Sequence, residues 1–253
     1  MICEVGVVFT PAEYRVWQPG DLTGTTCVVF DILRATSTMV TALAAGAAGV
    51  LPVGEISEAL ECRRRQPGVL LAGERGGRRI GAALTGGIEF ELGNSPREFT
   101  AAQVAGKLIV TTTTNGTRAL RACAGAEEIV VSSFLNLTAT ARHLVNRPRK
   151  SICLVCAGTG EETALEDLLA AGALCDALKS TQPGIEFRDS AIIARSTFLQ
   201  ARSNLADAVG QSRNARQLSR LPELNEDVRF CLQRDAFDLV AVSDAEKVVR
   251  RLP

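Results

Sequence analysis

The feature that most constrains the fold of this chain is a regular alternation of short apolar runs with longer segments of helical periodicity. Short apolar runs predict buried strands, and longer segments with apolar residues spaced three and four apart predict helices. Strands that alternate with helices form βα units around a largely parallel sheet. We therefore predict an α/β fold in three layers, α/β/α, with a mostly parallel or mixed sheet.

The pattern predicts eight strands and seven helices along the chain. The strands are Val5–Phe9, Cys27–Phe30, Val50–Val53, Val69–Leu71, Leu108–Val110, Ile129–Val131, Ile152–Val155 and Leu239–Val242. The helices are Thr38–Ala47, Ile56–Arg65, Thr117–Cys123, Leu137–Asn146, Leu165–Leu178, Ser190–Asp207 and Leu224–Arg234. We interpret residues 1–253 as a single domain, with an irregular glycine-rich segment at 73–96 and a helical C-terminal part at 182–236.

The charge balance limits the classes of partner. Lys and Arg number 28, as do Asp and Glu. Without an excess of positive charge, we expect no binding to nucleic acid or to an anionic membrane, and the expected partner is a small anionic molecule. No run approaches the roughly 20 apolar residues of a membrane span, and the first residues lack signal-peptide features. The expected location is the cytoplasm, and formation of a homo-oligomer is left open.

Cysteine and histidine content limits the chemistry that this chain can perform. Eight cysteines without an export signal are expected to be reduced thiols. Cys153 and Cys156 have C-x-x-C spacing, but they lie in an apolar run whose strand geometry directs them to opposite faces. The single histidine, His143, falls in a predicted helix and is expected at the surface. Phosphatase mechanisms built on paired histidines are therefore excluded.

One arrangement occurs three times: a strand, a turn of small polar residues, and a helix. It is found at Val28–Thr38, Ile109–Thr117 and Ile152–Thr163. In open α/β sheets, ligands bind outside the carboxyl ends of the strands, where such turns and helix N-termini gather. We therefore expect the three turns to line one cleft.

The first turn carries Asp31, Arg34, Thr36, Ser37 and Thr38. A helix N-terminus, a bidentate guanidinium and several hydroxyls suit a bound phosphate. A carboxylate beside a phosphate would repel it unless the carboxylate binds a metal ion or acts as nucleophile or base. The alternative is that a hydroxyl caps the helix and Asp31 pairs with Arg34.

The second turn has four consecutive threonines followed by Asn115, Gly116 and Thr117. Asn-Gly can adopt positive φ and present backbone N–H groups to an anion, which predicts a second oxyanion site. An ordinary Asn-Gly turn is the alternative. Neither a P-loop pattern nor a Rossmann G-x-G-x-x-G is present, so no nucleotide is implied.

In the third turn, the simplest role of Glu166 is a capping box with Thr163, and Asp167 next to it fits the acidic first turn of a helix. We expect structural roles for both carboxylates. Asp189 begins a long predicted helix, and its first explanation is likewise N-capping.

The irregular segment contains further polar candidates between glycines. Glu74 could complete a carboxylate pair for Mg²⁺ with Asp31, while Arg75, Asn94 and Ser95 could hold acid oxygens of a substrate. The alternative is a salt-bridged loop followed by an Asn-Ser-Pro turn.

Taken together, these motifs resemble the 2-phosphosulfolactate phosphatase (ComB) family. The resemblance covers about Cys27 to Ala191 and rests on the order and spacing of five motifs, with Arg188-Asp189-Ser-Ala further on. The five are Asp-Ile-Leu-Arg-Ala-Thr-Ser-Thr (31–38), Gly-Glu-Arg (73–75), Gly-Asn-Ser-Pro (93–96), Thr-Thr-Thr-Asn-Gly-Thr (112–117) and Cys-Ala-Gly-Thr (156–159).

The resemblance implies a Mg²⁺-dependent phosphomonoesterase with an α/β/α fold that acts on 2-phospho-3-sulfolactate in coenzyme M biosynthesis. Such a substrate carries phosphate, carboxylate and sulfonate groups. On this basis we assign Asp31 and Arg34 as catalytic and Asp31, Glu74 and Asp189 as metal ligands. The assigned substrate-binding residues are Thr36, Ser37, Thr38, Arg75, Asn94, Ser95, Asn115, Gly116 and Thr117.

Two questions stay open at the level of sequence. Asp31 either forms an acyl phosphate or holds Mg²⁺ while water attacks, since no Asp-x-Asp follows the strand. The substrate could also be another 2-hydroxy-acid phosphate, such as phospholactate or phosphoglycerate. A protein of a different class, a non-catalytic binder of an anionic metabolite, could use the same turns.

Overall fold

The structure is a computed structural model that describes residues 4–147 and 149–252. Its strands are β1 (Glu4–Val8), β2 (Thr25–Phe30), β3 (Gly49–Pro52), β4 (Leu70–Arg75), β5 (Arg78–Arg79), β6 (Leu108–Thr112), β7 (Glu128–Val131), β8 (Ser151–Cys156), β9 (Glu186–Phe187), β10 (Ala241–Ser243) and β11 (Val249–Arg251). Its helices are α1 (Pro11–Arg15), α2 (Ala35–Ala44), α3 (Ile56–Arg65), α4 (Ala82–Thr85), α5 (Ala101–Val104), α6 (Gly116–Ala122), α7 (Leu137–Val145), α8 (Leu165–Thr181), α9 (Asp189–Ala201), α10 (Leu205–Gly210), α11 (Arg213–Leu218) and α12 (Asn225–Cys231).

The described strands form one mixed sheet in the order β5-β4-β6-β3-β11-β10-β7-β2-β8-β1-β9. One parallel block consists of β4, β6 and β3, and a second consists of β7, β2, β8, β1 and β9. The β10–β11 hairpin joins the two blocks through antiparallel pairing with β7 and β3. The predicted α/β fold with a mixed sheet is confirmed.

Hydrophobic side chains are buried on both faces of the sheet, which explains the three layers. In β2, Val28 and Phe30 pack into one core together with residues of α7, α8 and α9. The alternate residues Cys27 and Val29 pack into a second core with residues of α2 and α6. Because side chains alternate across a strand, a run without polar residues indicates burial on both sides.

The eight predicted strands each overlap a strand of the structure, and each predicted helix overlaps a helix. Two boundaries differ from the prediction. Helix α2 begins at Ala35, three residues before the predicted start, so Thr36 and Ser37 lie inside the helix. The predicted helix Ser190–Asp207 is interrupted by a 3₁₀ turn at Arg202–Asn204, after which α10 begins.

The segment 73–96 is less irregular than predicted. It contains the β4–β5 hairpin and the short helix α4, and Leu92 forms a parallel bridge with Ala72 of β4. Ile80 and Phe90 are fully buried in a third, smaller core against β4 and β6. This packing fixes the segment against the sheet edge.

The cysteines and the histidine lie where their packing explains them. Cys153 and Cys156 belong to the cores on opposite faces of the sheet, and the described cysteines are free thiols. His143 is not a free surface residue as expected, since its Nε2 lies 2.9 Å from Oε1 of Glu128. None of the described helices combines the length and apolarity that a bilayer span requires.

Candidate active site

The three polar turns predicted from the sequence meet at one cavity of about 210 Å³. Asp31 follows β2, Thr113 to Asn115 follow β6, and Thr159 follows β8. The other lining residues are Leu33, Arg34, Glu74, Gly76, Gly77, Asn94, Asn214, Gln217 and Leu218. The volume is below the range of roughly 300–1,000 Å³ typical of drug-sized ligands, so the cavity suits a small metabolite.

Asp31 is buried at the start of the first turn. Its Oδ1 accepts the N–H of Ala35 at 3.1 Å, and the N–H of Gly116 also donates to the carboxylate. Burial above all, and then the charges of Glu74 and Glu166, raise the pKa of Asp31 to about 7, although the two N–H groups act to lower it. Asp31 therefore caps α2 and faces the cavity at the same time.

Arg34 lies after a cis Leu33–Arg34 peptide bond, with its guanidinium buried in the cavity wall. Nη1 donates to Oδ2 of Asp227 at 2.7 Å, and Nη2 donates to the carbonyl of Gly77 at 2.8 Å. The alternative in which Arg34 pairs with Asp31 is not observed, because Arg34 forms its ion pair with a residue of α12. This pair fixes the orientation of the guanidinium.

The hydroxyls of Thr36, Ser37 and Thr38 do not face the cavity, which corrects their assignment as substrate-binding groups. They donate to the backbone carbonyls of Asp31, Ile32 and Asn94 at 2.9–3.0 Å, and all three residues are buried. Within the turn, the N–H groups of Thr36 and Thr38 also bond to backbone carbonyls. These residues stabilise the shape of the first turn.

Glu74 reaches the cavity from the end of β4. Its Oε1 accepts the N–H and the hydroxyl of Thr114 at 3.0 and 2.9 Å, and its Oε2 accepts the N–H of Gly77 at 2.8 Å. The carboxylate thus connects the second turn with the β4–β5 hairpin. Oε1 already accepts two hydrogen bonds, so Oε2 is the oxygen that keeps a lone pair for a ligand.

Arg75 does not line the cavity, so its predicted role as an anchor for substrate acid groups is not supported by its position. Its guanidinium donates to the carbonyl of Glu74 at 2.7 Å and to the hydroxyl of Thr112 at 3.0 Å. These bonds hold the end of β4 to β6.

Asn115 lines the cavity as predicted, and its Oδ1 accepts the N–H of Gly160 at 3.4 Å. Gly116 approaches the first turn so closely that an added Cβ would lie 2.6 Å from Cβ of Ala35. Thr117 is buried and lies beside Thr113, with 3.3 Å between the hydroxyl oxygens, away from the cavity. Of these three predicted residues, only Asn115 offers a side chain to a ligand.

Asn94 and Ser95 have different positions. Asn94 lines the cavity, whereas the hydroxyl of Ser95 donates to Oδ1 of Asp227 at 2.7 Å. Asp227 is fully buried and also accepts Nε of Arg97 at 2.8 Å. The sequence predicted a helix around Asp227 but gave no sign that its carboxylate would face three donors.

Asp189 does not join the predicted group of metal ligands. It is exposed at the first residue of α9, after the edge strand β9, and it is absent from the cavity lining. β9 lies three strands from β2, a separation of about 14 Å at ordinary strand spacing. We therefore remove Asp189 from the candidate metal site.

The carboxylates of the third turn differ from the predicted capping box. The N-cap of α8 is Ala164, and no side chain caps this helix end. Asp167 instead accepts the N–H groups of Ile32 and Gly158 at 2.8 and 3.1 Å. Burial, and then the charges of Glu166 and Asp31, raise the pKa of Asp167 well above its ordinary value. Asp167 therefore joins the first turn, through Ile32, to the third turn, through Gly158.

Glu166 has one oxygen bonded and one without a partner. Its Oε1 accepts Nδ2 of Asn214 at 2.6 Å, and its Oε2 is buried with no hydrogen-bond partner in the described chain. Buried carboxylates, one of which has an unpartnered oxygen, are suitable ligands for a hard divalent cation such as Mg²⁺. Among the described residues, no group of three or more His, Cys, Asp or Glu forms a metal site. Mg²⁺ commonly uses one or two carboxylates with phosphate oxygens and water, which agrees with this donor set.

A polar cavity with buried carboxylates at the carboxyl ends of parallel strands is the place where α/β proteins bind small polar ligands. The family model described as 2-phosphosulpholactate phosphatase matches residues 13–246. The chain belongs to this family and is a phosphoric monoester hydrolase.

Similar proteins span nearly the whole chain. A protein of Caldanaerobacter subterraneus subsp. tengcongensis is 40% identical over 235 residues, which cover 91% of this chain and 92% of that protein. A protein of Thermotoga petrophila is 42% identical, with 85% and 87% covered. One of Synechocystis sp. is 36% identical, with 84% and 86% covered. Each is described as a probable 2-phosphosulfolactate phosphatase.

Proposed function

We propose that this chain hydrolyses 2-phospho-3-sulfolactate to sulfolactate and phosphate in a Mg²⁺-dependent reaction, a step of the coenzyme M biosynthesis type. The substrate is proposed from the family, whose name specifies it. The observation that supports the metal requirement is the distribution of charge around the cavity.

The charged side chains of the described cavity lining are Asp31, Glu74 and Arg34. Arg34 shares the single negative charge of the buried Asp227 with Arg97, whose side chain is partly exposed. The two carboxylates of the described lining outnumber its one cation, so a substrate with phosphate, carboxylate and sulfonate groups would meet net negative charge there. Repulsion between buried like charges is large, and a divalent cation would remove it.

Asp31 and Glu74 are the carboxylates of the cavity lining that would hold the cation, as the sequence analysis proposed. When bound, Mg²⁺ would neutralise phosphoryl oxygens and stabilise the charge that develops on the leaving oxygen. The unpartnered oxygen of Glu166 near Asp31 supports the same conclusion.

The protein's own groups would position the substrate. Arg34, oriented by Asp227, provides guanidinium charge at the cavity wall for a phosphoryl oxygen. The amides of Asn94, Asn115 and Gln217 line the same cavity and can donate to the acid oxygens of the substrate. Phosphoryl transfer depends mainly on positioning and charge stabilisation, so the site needs no histidine.

Steady-state phosphate release from 2-phosphosulfolactate and from 2-phospholactate, with Mg²⁺ and with EDTA, tests the proposal. We expect kcat/KM to be at least about tenfold higher for phosphosulfolactate, because a site built for a polar group discriminates against an analogue without it. EDTA should abolish both rates. Equal or higher kcat/KM for phospholactate would reassign the substrate, and no phosphate release from either would favour a non-catalytic binder.

The expected ligand type and cellular location are part of the same proposal. A small anionic metabolite as substrate agrees with the equal numbers of acidic and basic residues, which give no field for nucleic acid. We keep the cytoplasm as the proposed location.

A further inference from the structure

Near the Asp31 cavity, Glu166 is a buried carboxylate with one oxygen that no protein group in the described chain contacts by a hydrogen bond. It lies in the first turn of α8, and only 1% of its surface is exposed. In the described chain, its Oε2 is one of three buried side-chain nitrogen or oxygen atoms without a hydrogen-bond partner. Burial of a charged oxygen without a partner is costly, so such an atom indicates a missing ligand.

Neighbouring carboxylates add to the negative charge around Glu166. Glu166 is close enough to Asp31 and Asp167 for its charge to act on both carboxylates. Asp167 is bonded by two backbone N–H groups, and Arg34 is bonded by Asp227. The side-chain donor that the structure gives to Glu166 is the neutral amide of Asn214.

Asn214 fixes the orientation of the Glu166 carboxylate. Its Nδ2 donates to Oε1 of Glu166 at 2.6 Å and to the hydroxyl of Thr159 at 2.7 Å. Both Asn214 and Thr159 line the Asp31 cavity. With Oε1 held by this amide, Oε2 has a fixed direction and stays free for a ligand, as in a preorganised metal site.

We propose that Oε2 of Glu166 and the carboxylate of Asp31 are ligands of one divalent cation, and that Asn214 positions Glu166 for this role. Glu166 then takes the place of Glu74 as the second carboxylate beside Asp31, since no three described carboxylates form one metal site and the oxygens of Glu74 accept three hydrogen bonds from the protein. The inference rests on the proposed Mg²⁺ dependence and changes which residue shares the cation with Asp31. Two carboxylates with water and phosphate oxygens complete an ordinary Mg²⁺ coordination shell.

Titration with Mn²⁺ alone, followed by electron paramagnetic resonance of the free ion, measures this site without substrate or turnover. We expect Glu166→Gln to weaken Mn²⁺ binding by more than about tenfold, and Asn214→Ala to weaken it less. Asp189→Asn is the matched control and should bind Mn²⁺ like the wild type. Wild-type affinity in Glu166→Gln would overturn the inference while leaving the Mg²⁺ dependence of activity intact.

A Glu166→Asp variant shows whether weaker Mn²⁺ binding comes from a lost ligand or from misfolding. It keeps the charge but withdraws the carboxylate by one methylene, and its circular dichroism should match the wild type. Weakened Mn²⁺ binding by this folded variant supports Glu166 as a ligand, and undiminished binding overturns it. Absence of saturable Mn²⁺ binding in the wild type would contradict both the inference and the proposed metal dependence.

Discussion

At the scale of single residues, Asp31 has two roles, whereas the structural alternative drawn from the sequence assigned the helix cap to a hydroxyl and paired Asp31 with Arg34. Its carboxylate accepts the N–H of Ala35 and so caps α2, and the same carboxylate lines the cavity. A helix cap and a metal ligand are compatible, because each carboxylate oxygen has two lone pairs. The cap therefore orients the carboxylate for its second role.

The raised pKa of Asp31 predicts a pH dependence of stability in the metal-free protein. Its folded pKa of about 7 exceeds its ordinary value of 3.8, so between these values the folded state binds more protons than the unfolded state. Stability contributed by this proton is present at low pH and is lost as pH rises towards 7. We expect the free energy of unfolding to fall by roughly 2–4 kcal/mol between about pH 4 and pH 8, when it is measured by urea unfolding in the presence of EDTA.

The Asp31→Asn variant isolates this effect. It should lack the part of the pH-dependent loss that belongs to Asp31, whereas Asp167, whose pKa is also raised, contributes to both proteins. Identical pH profiles for the variant and the wild type would contradict the assignment.

The three hydroxyl residues after Arg34 show why side-chain roles were partly mispredicted. Thr36, Ser37 and Thr38 are the residue types of an oxyanion site, but each hydroxyl donates to a nearby backbone carbonyl. The direction of a hydroxyl depends on how the chain around it folds, and the residue type alone does not determine it.

At the scale of elements, α12 is attached to the active site by one buried carboxylate. Asp227 accepts Arg34 from the first turn, and Ser95 and Arg97 from the segment before α5. Asp227 and Arg34 are 193 residues apart in the chain, so no local pattern could reveal the pair. This contact positions the guanidinium of Arg34 in the cavity wall.

Asp227→Asn should destabilise the protein by about 3 kcal/mol or more in chemical unfolding, because it leaves the buried guanidinium of Arg34 without its counter-charge. The matched control is Asp238→Asn, whose exposed carboxylate pairs with Arg142. That change should cost less than about 1 kcal/mol. Equal effects of the two substitutions would show that the Arg34 pair is not a major contact.

The longer elements were predictable because they repeat a local pattern. Helix α3 was predicted with the observed bounds, and the predicted central strands overlap those of the structure. The two-residue strands β5 and β9 exist only through pairing with β4 and β1, so their short sequences carry no periodicity. Likewise, the place of β11 between β10 and β3 depends on contacts between distant parts of the chain.

At the scale of the whole molecule, the site depends on the meeting of the two parallel blocks. β6 belongs to one block and β2 to the other, with four strands between them in the sheet order. Nevertheless, Gly116 after β6 touches the turn after β2. The interpretation of residues 1–253 as one domain stays a prediction, which the sheet shared by β1 and β11 supports.

Gly116→Ala tests this contact between the blocks. A Cβ at this position would lie 2.6 Å from Cβ of Ala35 and 2.8 Å from Oδ2 of Asp31. We expect a loss of about 1–3 kcal/mol in stability and a lower kcat, since the turns must separate. Gly125→Ala, with no atom within 4 Å of the added Cβ, should change neither. Wild-type stability and kcat in Gly116→Ala would contradict the close approach.

The central claim is that the Asp31 cavity catalyses metal-dependent phosphate release. The most direct measurement is phosphate release from 2-phosphosulfolactate by the wild type and by Asp31→Asn, as a function of added Mg²⁺ after EDTA treatment. We predict that the wild-type rate rises from zero and saturates with Mg²⁺, and that the folded variant loses at least about 10²-fold in kcat at every Mg²⁺ concentration. A variant with near wild-type activity, or a wild-type rate independent of Mg²⁺, would contradict the account.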